Sequence, residues 1–276
     1  MASPITEYQP SAGLQPFVEA FWEGNFWADE SHPLTLRVIP KGSVELIIHL
    51  NEDHCQLYHS CRWSRSPDFL LMGLYSNPYE VHFERPVKVF SIRFKPEGLF
   101  TIFGIPAALF KERFEDMSLV MGTGFQDFSE RLREEKNVAS MIRQAECYLN
   151  RNLTGCSLEL NYINTAAELI RKTSVARICE LADLVNISRR QLERGFKEIL
   201  GISPKQYLRI IRLNQVQRLL KENRQMSLTS VAYHCGYCDQ AHFIRDFESF
   251  IGVAPTTFLK SMSGYISKDH PHAIVH

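Results

Sequence analysis

The C-terminal part of the chain contains one pattern twice. The segment "LADLVNISRRQLERGFKEILGISPKQYL" from Leu181 matches "VAYHCGYCDQAHFIRDFESFIGVAPTTFL" from Val231, with one residue inserted in the second copy just before its second helix. Ala182 pairs with Ala232, Asn186 with Gly236 and Ile187 with Tyr237. Past the insertion Leu192 pairs with Phe243, Arg194 with Arg245, Phe196 with Phe247, Gly201 with Gly252, Pro204 with Pro255 and Tyr207 with Phe258. A duplication registered this closely means two copies of one supersecondary unit, so whatever fold one copy takes the other must share.

Each copy reads as helix, tight turn, helix. In the first, Ile178, Leu181, Ala182 and Val185 recur at steps of three and four, the spacing of one buried helical face. Gly236 stands where a chain leaving a helix turns left-handed at little steric cost, and Asn186, the next most tolerant residue, holds that place in the first copy. Ser188 and Asp239 then offer side-chain oxygens to the free N–H groups of the following helix. The second helices turn Leu192, Phe196 and Ile199, or Phe243, Phe247 and Phe250, inward. They leave Arg190, Glu193, Arg194 and Lys197, or Gln240, Ala241, Ile244 and Arg245, facing outward. Between the copies "PKQYLRIIRLNQVQRLLK" predicts one amphipathic helix over 204–221 with Tyr207, Ile211, Val216 and Leu220 near the core. At 1.5 Å per residue it spans roughly 27 Å, enough to hold two reading helices in successive major grooves.

This is the pattern of a helix-turn-helix, whose second helix enters the major groove and reads base edges near its N-terminus. At this point the chain resembles the AraC/XylS family of bacterial transcription regulators, over about residues 158–262. The match is concentrated at Gly236, Tyr237, Asp239, His242, Phe243, Arg245, Phe247, Gly252 and Pro255. The resemblance implies an all-α, homeodomain-like domain over 156–265 that binds double-stranded promoter or operator DNA. It places DNA-binding residues at Arg189, Arg190, Glu193, Arg194 and Lys197 in the first unit, and at Gln240, Ala241, Ile244 and Arg245 in the second. Carried over, Arg190 and Arg194 would donate to guanine edges and Glu193 accept from cytosine, while the second unit leans on phosphate and DNA shape. Lys205, Arg209 and Arg212 either solvate the linking helix or touch phosphate. RNA polymerase, a small-molecule effector and a second copy of the chain are the further partners the resemblance implies, with either activation or repression as the outcome.

The front half has another texture. Short apolar runs such as "SVELIIHL", "DFLLMGLY" and "YEVHFERPVKVFSIRF", separated by Pro, Gly, Asn and Asp, predict strands and turns, hence an antiparallel β-barrel-like domain and an α+β chain overall. The pieces "VIPKGSVELIIHL" and "SIRFKPEGLFTIFGIPAALF" resemble the sensor-like N-terminal domain of one branch of the same family. The predicted organisation is a β-rich sensor or dimerisation domain over 1–155 with an all-helical connector over about 111–155, and a flexible tail over 266–276. The connector's apolar stripe can pack on its own domain or form a dimer interface. Trp22, Phe26, Trp63, Tyr75 and Phe94 are the candidate walls of an effector pocket, since a β-barrel can enclose a small apolar ligand.

Charge fits this division. The net charge is zero, but residues 1–155 carry 15 Lys and Arg against 20 Asp and Glu, and residues 156–276 carry 16 against 11, so the basic half is the one with the duplicated motif. Seven scattered cysteines fit a reducing compartment, and no run is apolar enough for a membrane span, so a cytoplasmic protein with no membrane partner is expected. No Gly-rich phosphate loop, His-Glu-x-x-His or Gly-x-Ser-x-Gly is present, and no cofactor, metal or catalytic residue is expected. The cluster His234, Cys235, Cys238, Asp239 and His242 has zinc-like spacing, but Cys235 aligns with Val185 and His242 with Gln191, which makes it the turn and reading helix of the second unit. Two alternatives stay open for the front domain: a small-molecule or metal-dependent enzyme, with Glu45 and His49 sharing one strand face, or a pure oligomerisation module.

Overall fold

The computed structural model describes residues 5–59, 61–153, 161–173, 178–223, 225–265 and 273–275. Eleven strands are present among them: β1 (Ile5–Tyr8), β2 (Val18–Phe26), β3 (Leu34–Val38), β4 (Val44–His49), β5 (Gln56–His59), β6 (Arg62–Arg65), β7 (Phe69–Met72), β8 (Tyr79–Phe83), β9 (Val87–Phe94), β10 (Phe114–Asp116) and β11 (Ala273–Val275). They form two antiparallel sheets, ordered β1-β2-β9-β4-β7-β10 and β11-β3-β8-β5-β6. The expected β-barrel is thus two separate sheets with free edges and no closed cylinder, because none of the edge strands β1, β10, β11 and β6 pairs with an edge of the other sheet.

Alternation along the central strands explains the layering. On β4, Val44, Leu46 and Ile48 are buried with the helices, while Glu45, Ile47 and His49 face the gap between the sheets. On β9, Phe90, Ile92 and Phe94 join the helical side, and Val89 and Arg93 the gap. The larger sheet is therefore covered on both faces, which is why its strands read as nearly continuous apolar runs.

The helices are α1 (Pro96–Phe103), α2 (Ser118–Met121), α3 (Thr123–Arg133), α4 (Val138–Leu153), α5 (Asn161–Thr173), α6 (Ile178–Leu184), α7 (Arg189–Ile199), α8 (Pro204–Glu222), α9 (Leu228–His234), α10 (Gln240–Ile251) and α11 (Pro255–Tyr265). The connector is not helical from its start: Phe114–Asp116 pairs with β7 because the edge of Phe69–Met72 is free to accept it. The stripe of α3 and α4 is used within its own domain, with Phe125 edge-on to Phe69 and Phe128 stacked on Tyr148. Of the predicted tail, residues 266–272 and 276 lie outside the described residues, and Ala273–Val275 pairs with β3. Among the described residues no helix is long and apolar enough to cross a membrane.

One buried cluster runs from Leu14 in the front domain to Phe258 in α11. At its centre Arg171 of α5 forms a two-pronged ion pair with Glu97 of α1 and donates to the Tyr207 hydroxyl of α8 at 2.7 Å. Glu97 is 1% exposed and Tyr207 fully buried. Helix α8 departs from the predicted amphipathic pattern. Tyr207, Leu208, Ile210, Leu213, Val216 and Leu220 are buried on more than one of its faces, because one side packs on the C-terminal helices and another meets the β3–β4 loop, while Lys205, Gln206 and Arg218 stay exposed. A methyl placed on Gly42 of that loop would lie 3.1 Å from Ile210 and 3.3 Å from Tyr207, and Asn214 donates to the Lys41 carbonyl at 2.7 Å. Removing one partner of a buried ion pair strands the other, so Glu97→Ala is expected to lower stability by about 3–5 kcal/mol, as read by urea unfolding of the full chain.

Candidate nucleic-acid interface and effector cavity

The two turns are built alike. Asn186 has φ +54° and Gly236 φ +74°, and the amide that follows each, at Ile187 and Tyr237, donates back to Ala182 (3.1 Å) and Ala232 (3.0 Å). Ser188 accepts the Gln191 amide at 3.2 Å to begin α7, and Asp239 accepts the His242 amide at 2.7 Å to begin α10. Each reading helix is thereby given the same start, and each is held by its buried back: Leu192, Phe196 and Ile199, or Phe243, Phe247 and Phe250.

On the open side of α7, Arg190, Glu193, Arg194, Lys197 and Glu198 line a shallow depression. Arg189 is engaged with Glu193 at 3.0 Å, an i,i+4 pair on an exposed face that a DNA base or phosphate can displace at small cost. On α10, Gln240, Ala241 and Arg245 are exposed and Ile244 half-buried. Gln240 accepts from the Thr229 hydroxyl at 3.0 Å. The two arms of the motif differ as the residues imply: the first face carries several charges, the second one charge, at Arg245, beside Gln240, Ala241 and Ile244. Arg209, left open between solvation and phosphate, is ion-paired with Asp246 and donates to Ser249, and Asp246 also accepts from the Tyr237 hydroxyl at 2.9 Å. Its guanidinium therefore ties α8 to α10. Lys205 is exposed at the start of α8.

The gap between the sheets holds a cavity of about 130 Å³. Trp22, Phe26 and Tyr75 line it. Trp63 and Phe94 do not: Trp63, 40% exposed, packs on Tyr58 and His82, and Phe94 faces the helices beside Phe103. The cavity's polar residues escaped the sequence reading except for Glu45 and His49, whose i,i+4 spacing on a strand already set them on one face. Arg93 donates to Glu45 at 2.6 Å and to Glu7 at 2.7 Å, and Lys41 donates to Glu7 at 3.3 Å. Two cations thus meet two carboxylates. At the other end His49 is wholly buried, its Nε2 3.1 Å from Ser66 Oγ, with Cys55 Sγ 3.3 Å from the same oxygen. Burial first, with the neighbouring His54, holds the His49 imidazole down to about 4, and burial pushes the Cys55 thiol up to about 11. His54 is paired with Asp68, and His59 packs on Phe114. Among the described residues no three His, Cys, Asp or Glu side chains converge as a metal site.

A helix-turn-helix domain model matches residues 181–261, and a domain of unknown function (DUF6597) matches residues 6–116. Over 76 residues the chain is 42% identical to the HTH-type transcriptional regulator GbdR of Pseudomonas aeruginosa, covering 28% of this chain and 20% of that protein. Over 86 residues it is 33% identical to the HTH-type transcriptional activator RhaS of Escherichia coli O157:H7, covering 31% of each. Residues 181–261 of the chain are a helix-turn-helix domain. The matches span about a fifth to a third of the length of these curated relatives. The structure of ToxT from Vibrio cholerae aligns with 87% of this chain and 98% of that chain at 10% identity and a TM-score of 0.49, a likeness of outline only.

Within this helix-turn-helix domain the cysteine and histidine stretch has a structural account. Cys235 is fully buried, Cys238 lies exposed in the turn, Asp239 is occupied as a cap, and the Tyr237 ring packs edge-on against His242. Two outcomes follow. Gly236→Val forces a β-branched residue to positive φ and is expected to cost about 1–2 kcal/mol, while Gly236→Asn, which copies Asn186, costs much less; thermal unfolding compares them. His49 folds with its acid form disfavoured, so the unfolded chain binds a proton first as pH falls. The stability present above pH 6.5 is then lost toward pH 4, by about 3 kcal/mol from this group, a decline that His49→Phe flattens in urea titrations at each pH.

Proposed function

We propose that the protein is a sequence-specific transcription regulator of the AraC type that binds double-stranded promoter DNA through α7 and α10, with its front domain holding a small-molecule effector. The observation that carries this is the pairing of two identically capped helices whose backs are buried and whose N-terminal faces are open. An exposed N-terminal helix face is the part that reaches base edges when such a helix lies in the major groove. Arg190 and Arg194 are the bidentate readers of this scheme, Glu193 an acceptor for cytosine, and Arg189, Lys197 and Arg245 the phosphate contacts beside them. Gln240, Ala241 and Ile244 give the second helix a weakly polar, shape-reading surface. The names of GbdR and RhaS, a regulator and an activator of transcription, agree with the reading.

Support for an effector comes from a shared wall. The β3–β4 loop lines the cavity through Pro40, Lys41 and Ser43, and on its outer side touches Ile210, Tyr207 and Asn214 of α8. A ligand with unequal affinity for two settings of that loop changes how α8 carries the reading helices. Contact with RNA polymerase and pairing with a second copy belong to the same scheme. No reaction is assigned to the chain.

Once the chromosomal sites have been mapped, Arg194→Ala is expected to weaken binding to a promoter site by about 1–3 kcal/mol, roughly 5- to 150-fold, and to change binding to random duplex much less. Fluorescence anisotropy at one fixed salt concentration makes the comparison; equal losses on both duplexes would reassign Arg194 to a phosphate contact.

A further inference from the structure

The cavity between the sheets carries more information than its existence. Its walls are aromatic and aliphatic, with Phe26 stacked on Phe83 at 4.6 Å and Tyr75 against Tyr79 at 4.5 Å. Its volume of about 130 Å³ is close to the ~150 Å³ of an apolar cavity that accepts one benzene ring. Two buried polar atoms on its lining residues have no partner: the indole Nε1 of Trp22, 5% exposed, and Nδ1 of His49, 0% exposed. A buried donor left unmade is costly, and such groups are ordinarily satisfied by something.

The chemistry of the missing partner follows from the proton arrangement. The Cys55 thiol donates to Ser66 Oγ, so the Ser66 hydroxyl proton is free to go to His49 Nε2. In that arrangement Nε2 accepts and the imidazole carries its proton on Nδ1; in the other tautomer Nε2 donates to Ser66 Oγ and Nδ1 carries no proton. Burial keeps both the thiol and the imidazole uncharged at neutral pH. The Trp22 indole is an N–H donor with either tautomer, so the ligand atom that matches it is an acceptor. The charged end calls for no ion: Arg93 and Lys41 are already balanced by Glu7 and Glu45, and an added carboxylate would have to break those pairs.

We propose that this cavity binds a neutral molecule with one ring-sized apolar body and a hydrogen-bond acceptor, such as a carbonyl, that takes the Trp22 indole N–H. This deepens the effector reading of the front domain and does not depend on which DNA is read. The full chain is titrated with acetophenone and, separately, with benzoate, an anion of nearly equal size, by calorimetry and tryptophan emission in the absence of DNA. Acetophenone is expected to bind at least tenfold more tightly than benzoate. Trp22→Phe is expected to weaken acetophenone about three- to tenfold with an unchanged circular dichroism spectrum. Met72→Trp, which fills the cavity from β7, is expected to abolish binding, and it serves as the second variant should Trp22→Phe not fold. Benzoate binding as tightly as acetophenone, no binding of either, or full affinity in Met72→Trp would overturn the proposal. Because the titrations contain no DNA, a failure here is separate from a failure of Arg194→Ala to discriminate duplexes.

Discussion

The junction of Glu97, Arg171 and Tyr207 holds the molecule's two halves in one arrangement. A carboxylate with 1% exposure and a wholly buried phenol are tolerable only because one guanidinium satisfies both. Guanidinium suits this place because its planar fork can meet a carboxylate with two N–H groups and still offer a third direction, which an ammonium does less well. Burial opposes the Arg171 charge, but the attraction of Tyr207 and Glu97 outweighs it and holds the guanidinium pKa above its usual range, so the network stays charged and directional. From it α1 is locked to α5 and α8, the Asn164–Thr101 bond adds a second tie at 3.1 Å, and the front domain meets the first helix-turn-helix as packed core.

The consequence for α8 is physical and functional at once. A helix that only linked two units would carry one apolar stripe and one solvated face. Here its apolar residues are buried on more than one face, and Arg209 is drawn toward Asp246 and over the Phe250 ring at 5.9 Å. Any displacement of the β3–β4 loop is therefore felt by a helix that is also packed on the C-terminal helices, and packed interfaces shift between discrete arrangements more readily than they deform smoothly. The cavity and the reading helices are linked by this one element.

The helix-turn-helix units were legible in the sequence because their determinants are local. A left-handed residue at Asn186 or Gly236, a cap at Ser188 or Asp239, and an apolar residue every three or four positions act within a few residues of one another, and the duplication repeats the test. Strand texture in the front half was legible for a similar reason. Closure of the sheets was not, because it depends on which edges meet. Phe114–Asp116 looked like the start of a helical connector and became a strand because the edge of β7 was open to it. Among the pocket aromatics, hydrophobicity alone could not separate Trp22, Phe26 and Tyr75 from Trp63 and Phe94: strand alternation assigns a face, but which face looks into the gap depends on the partner sheet.

What the sequence determined by itself is the helix-turn-helix pair, its turns, its caps and its outward residues, since these follow from backbone sterics and helical periodicity over short distances. Only the tertiary structure decided that Glu97 and Arg171, 74 residues apart, share one buried site, that α8 buries apolar residues on more than one face, and that Trp22 and His49 carry unpaired buried polar atoms on one cavity. Those outcomes rest on desolvation and on which distant surfaces are brought together, and neither is encoded in any local stretch of the chain.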